Sequence, residues 1–315
     1  MKLQAAVTQY VTYRKALGNK FISNEQILKK FVRDIGSKKN LADVQTKEVG
    51  TFIAGNGPVT ATWHSKYSAL RGFYHYSISR GYTKESPLPV VIPKRPQTLR
   101  PYIYNVDELR ALLDASLTYQ KKLSRLEPYI VRTLLLLLYG AGLRISEAIN
   151  LILADVNLPQ ALLTIRETKF YKSRLVPLGA QLTQSLTQYA QRRQREGYPQ
   201  NPDSPFFIGR NGKAINKGTF KNAFRSIRKE SGVKRTDSIR FQPRLHDFRH
   251  TFAVHRLTAW YKEGADVQKL LPILSVYLGH AELRDTSVYL TMTPALLEEA
   301  GRRFQNYAFK EESHD

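Results

Sequence analysis

The chain has no cysteine among its 315 residues. Disulfides, thiolate catalysis and cysteine-based zinc sites are therefore excluded. Long apolar runs are missing too. The most hydrophobic stretch, Leu134 to Leu143, is interrupted by Gly140 and Gly142. It reaches only about half of the ~20 residues that a membrane-spanning helix needs, so it reads as a buried helix. Met1 to Val7 lacks the apolar core of a signal peptide. A soluble protein of the cytoplasm, with no membrane partner, is the expectation. Negative charge is scarce: 26 Asp and Glu stand against 49 Lys and Arg, a formal net charge of +23. A compact chain so charged repels itself unless a polyanion shares the space, which points to nucleic acid.

Residues 1–86 read as a small helical bundle. Ala5, Val7, Tyr10, Val11, Tyr13 and Leu17 give an apolar face ended by Gly18. A second helix runs from Asn24 to Ile35, capped at Ser23 and stopped at Gly36. A third spans Thr46 to Ala54. A fourth, Thr60 to Arg80, carries a stripe of Trp63, Tyr67, Leu70, Phe73 and Tyr74. Residues 1–100 hold 17 Lys and Arg against 5 Asp and Glu, about twice the charge density of the rest. Residues 87–103, with Pro87, Pro89, Pro93, Pro96 and Pro101 beside Lys94, Arg95 and Arg100, read as an extended basic linker.

Beyond the linker the pattern is again mostly helical, from Val106 onward. It is broken by three strand-like runs at Leu151 to Val156, Ala161 to Arg166 and Arg174 to Leu178. The expected fold is mainly α. A helical bundle is followed by a mostly α second domain holding one small three-stranded antiparallel sheet.

Five separate segments carry residues suited to one phosphate. Arg144 opens a helix after Gly140-Ala-Gly-Leu, where a guanidinium fork matches two phosphate oxygens. Lys169 lies at the tip of the hairpin between the last two strands, where an ammonium can deliver a proton to a leaving oxygen; Lys172 and Arg174 are its rivals. His246, Arg249 and His250 recur at i, i+3 and i+4 of one helix and share a face. His280 projects from a turn after Gly279, and Tyr289 follows on a short helix. A phenol titrates near 10 and needs neighbouring guanidiniums to attack at neutral pH.

The set G-A-G-L-R-I-S-E (140–147), a hairpin Lys before R-L-V-P-L (174–178), H-D-F-R-H (246–250), L-G-H (278–280) and Tyr289 resembles the tyrosine recombinase, or phage-type integrase, family. The resemblance implies a DNA core-binding domain at 1–86, the linker at 87–103 and a catalytic domain at 104–293. A C-terminal helix and tail at 294–315 would dock on a neighbouring subunit. It implies Tyr289 as nucleophile, Arg144 and Arg249 on the scissile phosphate, Lys169 as general acid, His246 in proton transfer and His280 bonded to the phosphate. Glu147 and His250 would support them from behind. Neither metal nor cofactor is implied. The implied partner is a double-stranded recombination site, with a dimer on each site and a tetramer in synapsis. A type IB topoisomerase and a non-catalytic basic DNA-binding protein are the alternatives.

Overall fold

The computed structural model describes residues 1–55, 57–96, 100–119, 126–166, 173–237, 241–291, 297–299, 301–302 and 305. The chain divides into two compact units, Met1–Leu99 and Arg100–Asp315.

The first unit contains α1 (Leu3–Ala16), α2 (Ile22–Ile35), α3 (Thr46–Ala54) and α4 (Ala61–Ser79). Apolar residues at three- and four-residue spacing turn one stripe of each helix inward. Leu28, Phe31 and Val32 of α2, Val49 and Ile53 of α3, and Leu70, Phe73 and Tyr74 of α4 meet in one core. The buried stripe of α1 is Leu3, Ala6, Val7, Tyr10 and Val11. Ala5, Tyr13 and Leu17, which the sequence pattern places on that face, are exposed. The helix is rotated because its start is clamped. Leu3 N–H donates to Lys39 O and Leu41 N–H to Met1 O, each at 2.9 Å. The expected cap at Ser23 is also absent. Helix α2 begins at Ile22, after Phe21 in the left-handed region at φ +45°. The Phe21 ring meets Tyr10 edge-on at 5.5 Å, and this contact holds the strained residue in place.

Residues 100–104 already pack with the second unit: Tyr104 is buried and its N–H donates to Thr251 Oγ1 at 3.0 Å. The unit continues through α5 (Val106–Thr118), α6 (Pro128–Gly140), α7 (Ile145–Ile149), β1 (Val156–Asn157), β2 (Leu162–Ile165) and β3 (Arg174–Pro177). Then come α8 (Ala180–Arg195), α9 (Lys217–Glu230), α10 (Asp247–Lys262), α11 (Val267–Leu278) and α12 (Arg284–Ser287), the last running into a 3₁₀ turn, Val288–Thr291. Helix α6 is apolar almost all round, so it takes the centre, with α5, α8 and α10 against it. Leu134, Leu135, Leu137 and Leu138 are fully buried there, each worth about 2 kcal/mol relative to exposure. The apolar run is thus a core helix. Among the described residues no helix is long and apolar enough to cross a membrane.

The mainly α architecture with one three-stranded antiparallel sheet, ordered β1-β2-β3, agrees with expectation. Leu163 stands opposite Val156 on one side and Val176 on the other. The expected first strand, Leu151 to Val156, is a correction. Asp155 accepts the Ile152 N–H and closes a 3₁₀ turn over Leu153–Asp155, leaving only Val156 and Asn157 to pair. Leu151 to Ala154 bond instead to residues 202–206, as in Leu153 N–H to Ser204 O at 3.0 Å.

Candidate functional site

Helix α11 starts on Asp266, whose carboxylate accepts the N–H groups of Gln268 and Lys269, and ends at Gly279 with φ +69°. The last carbonyls of a helix have no partner within it and carry the negative end of its dipole. Here three guanidiniums take them in succession. Arg174 Nε donates to Tyr277 O at 2.8 Å, Arg249 Nη2 to Leu278 O at 2.5 Å and Arg144 Nη2 to Gly279 O at 2.9 Å.

Local rules bring each cation there. Strand alternation puts Arg174 on the face of buried Val176, so it points inward. Arg144 stands just before α7, after a turn through Gly142 at φ +59°. A Cβ on Gly142 would lie 2.5 Å from the Phe252 ring, so only glycine lets this turn approach α10. Its carbonyl accepts Arg249 Nη1 at 2.9 Å. Arg249 itself is set by the start of α10, where the buried Asp247 carboxylate accepts the Arg244 N–H at 2.7 Å and Nη2 at 2.9 Å.

Glu147 ties two of these arginines together. Its Oε1 accepts Arg144 Nη1 at 2.7 Å and Arg174 Nη1 at 3.1 Å; its Oε2 accepts the Arg144 N–H at 2.9 Å and Arg174 Nη2 at 2.8 Å. Burial alone would raise this carboxyl, but Arg174 and Arg144 outweigh it and hold it down to about 2. One carboxylate still faces three guanidiniums. Burial and the charge of Arg144 pull Arg249 down to about 10. The unbalanced positive charge suits this cluster to an anion, because an arriving anion would relieve that repulsion.

Gly279 is constrained twice. A Cβ there would stand 2.7 Å from Arg174 Nη1 and 2.9 Å from its Cζ. Gly279→Ala is expected to destabilise the chain by about 2–3 kcal/mol, combining left-handed strain with displacement of Arg174. Urea unfolding measures this, and an unchanged midpoint would mean that Arg174 does not fill the space.

Tyr289 lies in the 3₁₀ turn and is only 2% exposed, packed with Phe252, Leu257, Leu274 and Leu278. Its Oη is 3.2 Å from His250 Nδ1. Burial raises the phenol above its usual 10, while the charges of Arg249 and Arg144 act in the opposite direction. The hydroxyl is therefore protonated in the free protein, with charge in place to stabilise a phenolate. His280 turns off the end of α11, its N–H donating to Ser275 O at 3.0 Å and its Nδ1 lying 2.7 Å from Thr286 Oγ1. His246 stands at the start of α10 and meets the His250 ring edge-on at 4.8 Å. Burial, aided by Arg249, lowers His246; burial, aided by Arg249 and Arg144, lowers His280 to about 4.

These depressed groups set a pH dependence. His280, and His250 at about 3, are neutral in the fold, whereas in an unfolded chain they titrate near 6.5. The unfolded state therefore binds more protons as pH falls below 6.5, and stability drops. Below 4.5 Glu147 adds to the fall, because its stabilisation is present above its unfolded value and lost toward 2. The urea midpoint of the free chain is expected to hold above pH 7 and decline steadily from 6.5 to 4. A flat midpoint over that range would rule out buried neutral rings.

The structure thus brings Arg144, Glu147, His246, Arg249, His250, His280 and Tyr289 to the end of α11. Lys169 and Lys172 lie outside the described residues; the strands on either side, β2 and β3, are described, with Ile165 opposite Arg174. Arg174, a rival of Lys169 as proton donor, is corrected. Its Nε and both Nη are committed to Tyr277 O and Glu147, so it braces the site. The two-residue alternation with Val176 was the available signal. The bracing role of Asp247 was also unforeseen, though its spacing of three from Arg244 suits such a pair. From Arg144 and His246 a cavity of about 600 Å³ continues along α9, past Lys217, Lys221, Arg225 and Arg228. Most of the C-terminal segment 294–315 lies outside the described residues.

Residues 104–295 match the model of the phage integrase family. The protein y4rB of Sinorhizobium fredii, named as an integrase/recombinase, is 36% identical over 309 residues, covering 95% of this chain and 96% of the relative. The tyrosine recombinase XerD of Listeria innocua is 28% identical over 291 residues, 89% of this chain and 90% of its own. The structure of the Tn1549 transposon integrase in complex with transposon right end DNA superposes with a TM-score of 0.69, at 14% identity, over 98% of this chain and 100% of that one. At that identity the superposition establishes the shared fold. With its family match over the whole site and a relative aligned along nearly its full length, the chain belongs to the phage integrase family of tyrosine recombinases.

Proposed function

We propose that this recombinase cuts and rejoins DNA at a specific site through a covalent 3′-phosphotyrosyl intermediate. Arg144 and Arg249 bind the non-bridging oxygens of the scissile phosphate, and His280 hydrogen-bonds to it. Tyr289 Oη attacks phosphorus, and the 5′-oxygen leaves. Lys169, with Lys172 as rival, protonates that oxygen, and His246 assists proton transfer. Glu147 holds Arg144 in place. The phosphotyrosyl bond keeps the phosphodiester energy, so the reading calls for no metal or cofactor. The 5′-hydroxyl of a partner strand then attacks the phosphotyrosine and frees Tyr289. The observation that supports this most directly is the pair of guanidiniums on adjacent carbonyls of one helix end, with the Tyr289 hydroxyl beside them.

The basic helical segment 1–86 is the proposed core-binding domain, 87–103 its linker, 104–293 the catalytic domain and 294–315 the tail that docks on a neighbouring subunit. The cationic groove along α9 suits a phosphate backbone leading to Arg144. Two chains would occupy each site and four would assemble at synapsis, on DNA in the cytoplasm. The relative named as an integrase/recombinase favours integration, excision or transposition of a mobile element.

The test uses a nicked duplex carrying a site selected by the full chain from random-sequence DNA, denatured in detergent after incubation. A covalent adduct restricted to that site, with recombinant joints between two duplexes, supports the reading. Relaxation of any supercoiled plasmid without a site would make it a topoisomerase, and absence of any adduct would leave a binding protein. Sedimentation showing one chain per site would remove the dimer.

A further inference from the structure

His250 was expected to stand behind the phosphate-binding residues, yet its ring touches the hydroxyl proposed to react. Its Nδ1 lies 3.2 Å from Tyr289 Oη, and the two rings meet edge-to-face at 5.5 Å between centroids. We infer that His250 is a catalytic residue: its Nδ1 takes the proton from Tyr289 Oη as that oxygen attacks phosphorus, and returns it on rejoining. This rests on Tyr289 being the nucleophile.

The geometry that favours this is specific. A phenol attacking phosphorus must shed its proton during bond formation, and the acceptor must lie within hydrogen-bond reach of Oη. Helix α10 fixes that acceptor, because Arg249, the preceding residue, is pinned by Gly142 O and Leu278 O. The edge-on contact of His246 sets the tilt of the His250 ring. Tyr289 is fixed from the other side by the α10–α11 core. Neither group has to move to meet the other.

Charge supports the same assignment. Burial, with the charges of His246, Arg244, Arg249 and His280, lowers His250 to about 3. The ring is therefore neutral in the free protein, with a nitrogen lone pair free to accept. The scissile phosphate brings negative charge to Arg144 and Arg249 and cancels part of what depresses the ring. His250 thus becomes more basic when substrate is bound.

The step balances. The Oη–P bond forms as the P–O5′ bond breaks. The Oη proton passes to His250 Nδ1, and the departing electron pair stays on the 5′-oxygen, which takes its proton from the general acid of the proposed reaction. In rejoining, a 5′-hydroxyl attacks, the P–Oη bond breaks and Oη recovers the proton from Nδ1.

The experiment measures single-turnover cleavage of the selected nicked duplex by the full chain and by His250→Asn. The Asn amide can hydrogen-bond Oη near the Nδ1 position but cannot take up a proton. Cleavage is expected to fall about 100-fold, within the range of a lost general base, with binding of the same duplex within twofold. A bridging 5′-phosphorothiolate, whose thiolate leaves without a proton, is not expected to restore the rate. A fluorinated, more acidic tyrosine at position 289 is expected to restore much of it. A rate within threefold of wild type, rescue by the phosphorothiolate, or no gain from the acidic tyrosine would each overturn the inference. Should His250→Asn lose its unfolding transition, the acidic tyrosine in the otherwise native chain keeps the question open to test. A weakened dependence on solvent deuterium supports proton removal in the cleavage step, and an unchanged dependence overturns it. Absence of adduct from the wild-type chain overturns the recombinase reading as well, whereas equal adducts from wild type and His250→Asn overturn this inference alone.

Discussion

Tyr289→Phe will abolish the covalent protein–DNA adduct while leaving the chain folded and bound to DNA. The substitution removes one oxygen and keeps the ring. That ring is 2% exposed among Phe252, Leu257, Leu274 and Leu278, so its packing is retained. The lost hydrogen bond to His250 costs about 1 kcal/mol, too little to unfold an ordinary domain. Adduct formation, by contrast, has no substitute atom. The measurement is detergent-stable adduct on the nicked duplex beside gel-shift affinity on the same duplex. Any adduct above background from Tyr289→Phe would move the nucleophile elsewhere among the 18 tyrosines. Mixing this variant with one inactivated at Arg249 addresses a further point. Tyr289 is held by its own chain's core, so the mixture should not regain cleavage of an isolated site.

Arg249→Lys should lower the cleavage rate by about 10³-fold, a fall typical of losing a donor aimed at developing charge, and shift duplex affinity much less. Arg249 spans Gly142 O and Leu278 O with two nitrogens of one planar fork. A lysine has a single nitrogen and cannot bridge both carbonyls while also facing a phosphate. One carbonyl is then left buried and unpaired, at about 1–3 kcal/mol in stability. On the proposed reading affinity is spread over many cations, including those of Lys217, Lys221 and Arg225, which line the cavity along α9, so one substitution changes it little. Single-turnover rate and unfolding midpoint together check this. A rate within tenfold of wild type would show that the fork does not act on the transition state.

The two outcomes also separate kinds of information in the chain. The segments that carry chemistry were legible because each obeys a local rule. Gly279 had to end a helix, so His280 could be placed on a turn. His246, Arg249 and His250 had to share a helix face because of their spacing. The apolar stripes of α2 and α4 likewise marked their cores. The failures were local rules overruled by distant contacts. Helix α1 is rotated away from Ala5 and Tyr13 because Met1 and Leu3 bond to residues 39–41. The strand expected at Leu151 is diverted by Asp155 and by residues 202–206. Arg174 read as a free cation on a hairpin because nothing near it in sequence reveals Glu147 or the end of α11.

By itself the sequence determined the charge, the mostly helical composition, the sheet in the second half and which side chains could handle a phosphate. Periodicity, caps and spacing act within a few residues and need no knowledge of the rest. Only the tertiary structure decided that Arg174, Arg249 and Arg144 would take three consecutive carbonyls of α11, and that Tyr289 would meet His250. Those contacts join residues 29 to 135 positions apart. They exist because a helix end leaves carbonyls that some donor must satisfy, and packing alone chooses which donors arrive.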